Sequence, residues 1–407
     1  MASAVCWLCI EDEYLKSIIK ERGEVAECSL CSRSDESVFT PDDFSEILDP
    51  LMREHFAQGP EVKKFGEEDS EWWEQEGDPL SHHLQEVIGQ YLGFEDEIIE
   101  ALEANEDVRP QDGEEAFFDS AQEYVPVPVR PYRYLEEWTF ALNELKHRRR
   151  FFNTAAKALF SELFSGVETR HAWNKSGGNE DVVIEFPQAA ELYRARICAS
   201  VTIIKEAFSD PFKNVGPPPP ERSRAGRMNA EGMAVFYGSL DLETCLAETR
   251  PALGNETAVI KLGTTKSLRL LDFNRLERSY TRLSYFQPDF TEQCEKGAFL
   301  RKLQRLISQP IIPGREIDYI ITQSLAEYLA HVHETPFDGI LFQSVQRSDG
   351  TNIVLFPDVE GKFPLSYIDR NVTLYATRSI QYTHEQKYVH LTEDGLWIDN
   401  DFDEDEW

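Results

Sequence analysis

Residues 223–251 read SRAGRMNAEGMAVFYGSLDLETCLAETRP, and the changes of pattern along this stretch decide the fold. A loop with Gly226 and Gly232 carries Arg227 and leads into the apolar run MAVFY, which reads as a short strand closed by Tyr237. LETCLAETR then returns to helical spacing and carries Glu248, eleven residues after the tyrosine. The glycines let the backbone come close to a ligand. An arginine, a tyrosine and a glutamate along one loop–strand–helix path suit a substrate with an anionic part and a bond that breaks toward a cation.

The neighbouring segments extend the pattern. Upstream, ELYRARI places Arg194 and Arg196 two residues apart, so on a strand both leave the same side. The proline run of GPPPPERSRAGRMN is pre-extended, and the Arg227 fork that follows it suits bidentate binding of a pyrophosphate or a carboxamide. Downstream, FDGILFQSVQRSDGTNIVLFP sets Ser344 at the end of a buried strand, with its hydroxyl in reach of a ribose or a phosphate. Taken singly, each residue suits a structural role: a tyrosine at the rim of a core, a glutamate on the polar side of a helix. Their joint order points to a site.

Around this site VVIEFP, AVIKL, LRLLDF, YIITQ, DGILFQS and TNIVLFP read as strands, alternating with helical pieces such as KGAFLRKLQRLIS. VTLYATRSIQYTHEQKYVHL adds edge strands. The expectation is an α+β domain over residues 185–390 with a small, curved or split sheet, followed by an acidic tail over 391–407. Residues 41–170 read as a mainly helical domain. FSEILDPLMREHF, PLSHHLQEVIGQYLGF and EEWTFALNELKHRRRFFNTAAKALFSELF each repeat apolar residues at three- and four-residue spacing. TPDDFSEIL opens the region as a capped helix start, and the acidic GEEDSEWWEQEGDP and NEDVRPQDGEE read as solvated loops. NKSGGNED reads as a linker.

Residues 1–40 form a third region. Cys6, Cys9, Cys28 and Cys31 give C-x2-C-x18-C-x2-C, within the range of a four-thiolate zinc knuckle. Two residues between paired cysteines let both sulfurs face one ion. The two pairs are symmetric and no Cys-Pro run follows, which favours Zn2+ over an iron–sulfur cluster. Four cysteine ligands leave no open position, so the metal is expected to be structural.

Composition limits the function classes. The formal net charge is −33, and residues 1–150 hold 37 acidic against 14 basic residues, a net −23. Such a chain repels phosphate backbones at long range, which disfavours sequence-independent nucleic-acid binding, so no nucleic-acid partner is expected and an anionic substrate needs a local arginine cluster. No apolar run approaches the roughly 20 residues that span a bilayer, the first residues lack a secretory pattern, and seven cysteines do not suit a secreted disulfide framework. The expectation is a soluble, cytoplasmic protein with no membrane contact.

The order LYRAR…GRMNAEGMAVFYGSLDLETCLAETRP…YIITQSLAEYL…FDGILFQSV…NIVLF, over residues 190–385, resembles the RES domain, named for its arginine, glutamate and serine. The helical region upstream is similar to the HEPN-type N-terminal region of some longer RES proteins. It lacks a convincing copy of the arginine–histidine motif of HEPN ribonucleases, so it is expected to be non-catalytic. The resemblance implies an ADP-ribosyltransferase-like fold and NAD+ as substrate. It further implies a toxin-type or defence effector that degrades NAD+ by phosphorolysis or hydrolysis, or that ADP-ribosylates a protein. A non-catalytic nucleotide sensor stands as the alternative.

By the same resemblance Arg194, with Arg196 as a rival, Glu248 and Ser344 carry the family roles, joined by Arg227 and Tyr237. Phosphate, an antitoxin or immunity protein and a second copy of the chain are the implied partners. The chemistry agrees with the residues. Cleaving nicotinamide from ribose leaves an oxocarbenium-like sugar, which a carboxylate such as Glu248 stabilises.

Overall fold

The structure is a computed structural model that describes residues 3–65, 71–106, 116–174, 177–308, 316–368, 371–380, 388–392 and 395–399. The chain divides into two units by its internal contacts. One comprises Met1–Val129 and Arg282–Cys294, the other Arg130–Thr281 and Glu295–Trp407.

In the first unit, strand Val5–Cys6 and strand Glu24–Ala26 flank strand Glu36–Phe39. Between them runs helix Glu13–Arg22, capped where Asp12 accepts from the Leu15 N–H at 2.9 Å. Thr40 and Asp43 then form a reciprocal capping box that opens helix Pro41–His55. Leu15, Ile19 and Val38 share one apolar core with Phe44, Leu48, Met52, Ile98 and Leu102. The cysteine-bearing segment is therefore packed with the helices that follow it, with no break at residue 40. One expectation needs correcting here. Glu71–Gln75, read as part of a solvated loop, pairs with Glu61–Phe65 as a hairpin, because Trp72 and Trp73 favour a strand despite the acidic flanks. Residues 107–115 of the second acidic connector lie outside the described residues.

The second unit begins with helices α1, Tyr132–His147, and α2, Thr154–Phe164. The sequence suggested one long helix within a domain over 41–170. Instead, Phe152 takes φ 54° and Asn153 caps a new helix by accepting from the Ala156 N–H at 2.9 Å. Both helices belong to the second unit, so the region 41–170 divides between the two.

Nine strands follow: β1 Val183–Phe186, β2 Glu191–Cys198, β3 Phe236–Ser239, β4 Glu256–Thr264, β5 Leu268–Asp272, β6 Gly339–Gln343, β7 Thr351–Leu355, β8 Leu365–Tyr367 and β9 Thr373–Ala376. They form one mixed sheet in the order β1-β5-β6-β7-β3-β2-β4-β8, with β9 also paired to β4, and only β5 and β6 run parallel. The sheet is larger than the sequence suggested. Its apolar runs are continuous because both faces are covered. Leu271, Ile340, Phe342, Val354 and Phe356 meet α1 and α2 on one face, while Leu270, Leu341, Ile353 and Leu355 face the other.

Four further readings change. YIITQ is not a strand: Ile320–Glu327 is a helix, α4 after α3 (Leu242–Glu248). Ile321, Leu325 and Leu329 bury at four-residue spacing, which a five-residue apolar run cannot reveal. MAVFY is shifted as well, since β3 spans Phe236–Ser239 and runs past Tyr237. NKSGGNED contributes Asn179–Asp181, a strand paired with His171–Trp173. At the C-terminal end Tyr388–Thr392 pairs antiparallel with Gly395–Asp399, so the first described part of the expected acidic tail is strand, and residues 393–394 and 400–407 lie outside the described residues. Among the described residues no helix is long and apolar enough to cross a membrane.

Candidate active site

The sheet opens where the candidate residues gather. β2 and β3 pair only at Tyr193 and Ser239, after which β2 continues along β4 and β3 along β7. A cavity of about 310 Å³ lies at this divergence, lined by residues of four strands, the 226–227 loop and α3. Arg194, Arg227, Tyr237 and Glu248, the arginines, tyrosine and glutamate singled out in the sequence, all border it. The period-2 rule explains the shared face: Tyr237 and Ser239 on β3, Phe342 on β6 and Asn352 on β7 stand on the same side of the sheet.

Helix α3 is set by its own pattern. Asp241 caps it by accepting from the Thr244 N–H at 2.8 Å, and Leu242, Cys245 and Leu246 press onto Tyr193, Ala195 and Val259. Gly350 has to lack a side chain here, because a Cβ would come within 2.2 Å of the Thr244 hydroxyl oxygen. Glu248 is the last residue of the helix and reaches over the split. Its Oε1 accepts from the Ser344 hydroxyl at 2.5 Å and from the Asn352 amide at 2.8 Å.

Ser344 is thus placed behind the carboxylate. It is buried, does not border the cavity, and its hydroxyl oxygen also accepts from the N–H groups of Gln346 and Arg347 at 3.1 and 3.2 Å. With its single proton given to Glu248, the serine orients the acid. In this arrangement the hydroxyl proton is directed at Glu248 and not into the cavity.

The two arginines differ from surface cations. Arg194 donates from Nη1 to the Tyr237 carbonyl at 2.6 Å, a carbonyl freed by the divergence of β2 and β3, while its Nε is buried without a partner. Arg227 donates to the Ile307 carbonyl and lies 5.8 Å from the Tyr319 ring centroid. Neither has an ion-pair partner among the described residues. Burial pulls both guanidinium groups below their ordinary range, yet an arginine stays protonated. The cavity therefore holds two guanidinium groups without a direct ion pair, with the Glu248 carboxylate in the same wall, and an anionic ligand can take the arginines' free donors. Arg196, the rival of Arg194, donates to the Asn214 carbonyl at 2.6 Å and is not part of the cavity wall.

Tyr237 ties the arginine loop to the sheet. Its hydroxyl donates to Asn229 Oδ1 at 2.9 Å and accepts from the Met228 N–H at 2.8 Å. Burial pushes this phenol up to about 12, so it stays neutral. Gly226 makes the arrangement possible, since a Cβ there would lie 2.7 Å from Asn229 Oδ1 and 2.8 Å from the Tyr237 oxygen. The Asn229 amide nitrogen in turn lies within hydrogen-bond distance of Ser223 Oγ and of the carbonyls of Arg224, Ala230 and Met233, which share its two hydrogens. Sequence reasoning missed Asn229 and Asn352. Their signal was a buried-type position, in a loop and in an apolar strand, occupied by a side chain that must find partners.

A separate cluster sits in the first unit. The Sγ atoms of Cys6, Cys9, Cys28 and Cys31 lie within 4.8 Å of one another, with Cys6 3.6 Å from both Cys9 and Cys31 and Cys28 4.0 Å from Cys9. The Cys6 N–H points at Cys28 Sγ, 3.3 Å away. The geometry is that of one metal ion's ligand set.

Residues 191–375 match the family described as the RES domain, from the first residue of β2 to Tyr375 in β9. The match assigns a RES domain to this stretch. No curated protein and no solved structure matches the chain. RES domains are associated with NAD-related toxin function, and the RES match covers every residue of the cavity wall.

Proposed function

We propose that the RES domain degrades NAD+ by breaking the bond between nicotinamide and ribose. The observation that carries this reading is the Glu248 carboxylate, anchored through one oxygen, beside two arginines without ion-pair partners in one cavity. In this reading Arg194 and Arg227 hold the diphosphate and bring the glycosidic bond over Glu248. The C1′–N bond breaks with its electron pair going to the pyridinium nitrogen, which becomes neutral, and the ribose takes on oxocarbenium character. The Glu248 carboxylate stabilises that charge where it develops. A new C1′–O bond then forms to water or inorganic phosphate, whose released proton goes to solvent. Tyr237 keeps the loop bearing Arg227 in register, so that substrate and carboxylate meet in a reactive conformer.

The test is incubation of the pure protein with NAD+, with and without phosphate, and measurement of nicotinamide. Wild type is expected to release it and Glu248→Ala to lose the activity. Equal release by both, or none by wild type, overturns the reading. ADP-ribose identifies a glycohydrolase and ADP-ribose 1″-phosphate a phosphorylase. A toxin-type role further predicts that expressing wild type, and not Glu248→Ala, depletes cellular NAD+ and halts growth.

We also propose that the four cysteines hold one structural zinc ion. A tetrahedron with Zn–S near 2.3 Å has S···S edges of about 3.8 Å; the Cys6–Cys9, Cys6–Cys31 and Cys9–Cys28 sulfur pairs stand 3.6, 3.6 and 4.0 Å apart, and all four sulfurs lie within 4.8 Å of one another. Zinc would tie the Cys6–Cys9 turn to the Cys28–Cys31 turn across helix Glu13–Arg22.

A further inference from the structure

We propose that Asn352 is a positioning residue for Glu248, which aims one carboxylate oxygen at the substrate by holding the other. This inference rests on reading the cavity as an NAD+ site. Asn352 is 5% exposed and stands on β7 directly across from Ser239 of β3. The Ser239 hydroxyl donates to Asn352 Oδ1 at 2.8 Å, which fixes the orientation of the amide. Its Nδ2 therefore faces Glu248 Oε1, at 2.8 Å. The reversed amide would set an oxygen against the carboxylate.

Two donors from different strand ends meet at that one oxygen, Asn352 on β7 and Ser344 just beyond β6. No hydrogen bond reaches Oε2 among the described residues, and Glu248 borders the cavity. A glutamate at the end of a short helix has several rotamers to choose from. One hydroxyl, free to rotate, would fix it poorly. An amide locked by Ser239 adds a second, directional hold. The donor is also neutral. A lysine or arginine in its place would cancel the negative charge that a cationic ribose requires, whereas an asparagine orients the carboxylate and leaves the charge intact. The chain Ser239–Asn352–Glu248 thus links a strand pairing to the aim of the catalytic oxygen.

The experiment compares Asn352→Asp, Asn352→Ala and Ser239→Ala with wild type and Glu248→Ala, reading kcat and KM for nicotinamide release together with thermal midpoints. Asn352→Ala loses the donor without adding charge, while Asn352→Asp keeps the volume, loses the donor and sets a second carboxylate against Glu248. Its kcat is expected to fall about 10- to 100-fold with KM within about threefold, since what is lost acts in the transition state. Ser239→Ala should lose less, about two- to fivefold in kcat, because the amide keeps its contact with Glu248 and only its lock is removed. An Asn352→Asp enzyme with kcat within twofold of wild type, or a loss confined to KM, overturns the inference. Wild type active, Glu248→Ala inactive and Asn352→Asp fully active would sink the positioning role alone. No activity in wild type would sink the NAD+ reading, and the contact itself is then read by selectively 15N-labelled asparagine. The Asn352 side-chain amide signals should shift in Glu248→Ala, and unchanged signals overturn the proposal independently of turnover.

Discussion

Replacing Ser344 with alanine separates two descriptions of the site. In the structure this hydroxyl donates to Glu248 Oε1 at 2.5 Å and touches no part of the cavity. A hydrogen bond to a charged group contributes about 1.5–3 kcal/mol. If that interaction serves the carboxylate in the transition state, its loss lowers kcat by about 10- to 100-fold, at 1.36 kcal/mol per tenfold. Asn352 still holds the same oxygen, which keeps the effect near the lower end. The N–H groups of Gln346 and Arg347 also lose an acceptor. Val345 and Gln346 are exposed, so water can replace it and the thermal midpoint should move little. Initial rates of nicotinamide release across NAD+ concentration give kcat and KM separately. The expected result is a reduced kcat at nearly constant KM. A raised KM with unchanged kcat would mean that the serine grips the substrate itself, and no change in either would mean that the Ser344–Glu248 bond does nothing for catalysis.

Other parts of the site give independent expectations. Gly226→Ala should cost about 1–3 kcal/mol of stability by overpacking, because the new methyl would lie 2.7 Å from Asn229 Oδ1, and should also lower kcat/KM by displacing Arg227. Denaturant unfolding and turnover both matching wild type would contradict that packing. Tyr237 is an acid held up to about 12, above the ordinary 10.0 of a tyrosine. Its stabilising contribution is complete below pH 10 and disappears as pH rises from 10 to 12. A two-unit difference corresponds to about 2.7 kcal/mol. Tyr237→Phe should therefore flatten the loss of stability between pH 10 and 12 in urea titrations, and an unchanged alkaline slope would refute the assignment. Protein purified without chelator should carry one equivalent of zinc that Cys28→Ser loses, as elemental analysis would read; a metal-free wild type contradicts the knuckle.

Much of this was legible because it is local. The short continuous apolar runs in DGILFQS and TNIVLFP give β6 and β7, and the Thr40 cap marks its helix. Arg194, Arg227, Tyr237 and Glu248 could be picked out because their residue types suit one chemistry and their order matches one family. What stayed hidden depends on partners far along the chain. Ser344 and Asn352 meet Glu248 across 96 and 104 residues, so whether a serine faces substrate or carboxylate cannot be read from its flanks. Arg194 and Arg196 are equivalent by alternation, and only the divergence of β2 from β3 gives the cavity to the first. The strand reading of YIITQ failed for a related reason. Its burial follows a helix that continues past the run, to Leu325 and Leu329.

The most direct measurement is the turnover of Glu248→Gln, which keeps the shape of the side chain and removes its charge. With the NAD+ dissociation constant within a few-fold of wild type, kcat should fall by at least about 100- to 1,000-fold, the scale expected for a preorganised charge aimed at the transition state. A glutamine variant that releases nicotinamide within tenfold of wild type would show that no carboxylate charge at this position is needed, and would contradict the account.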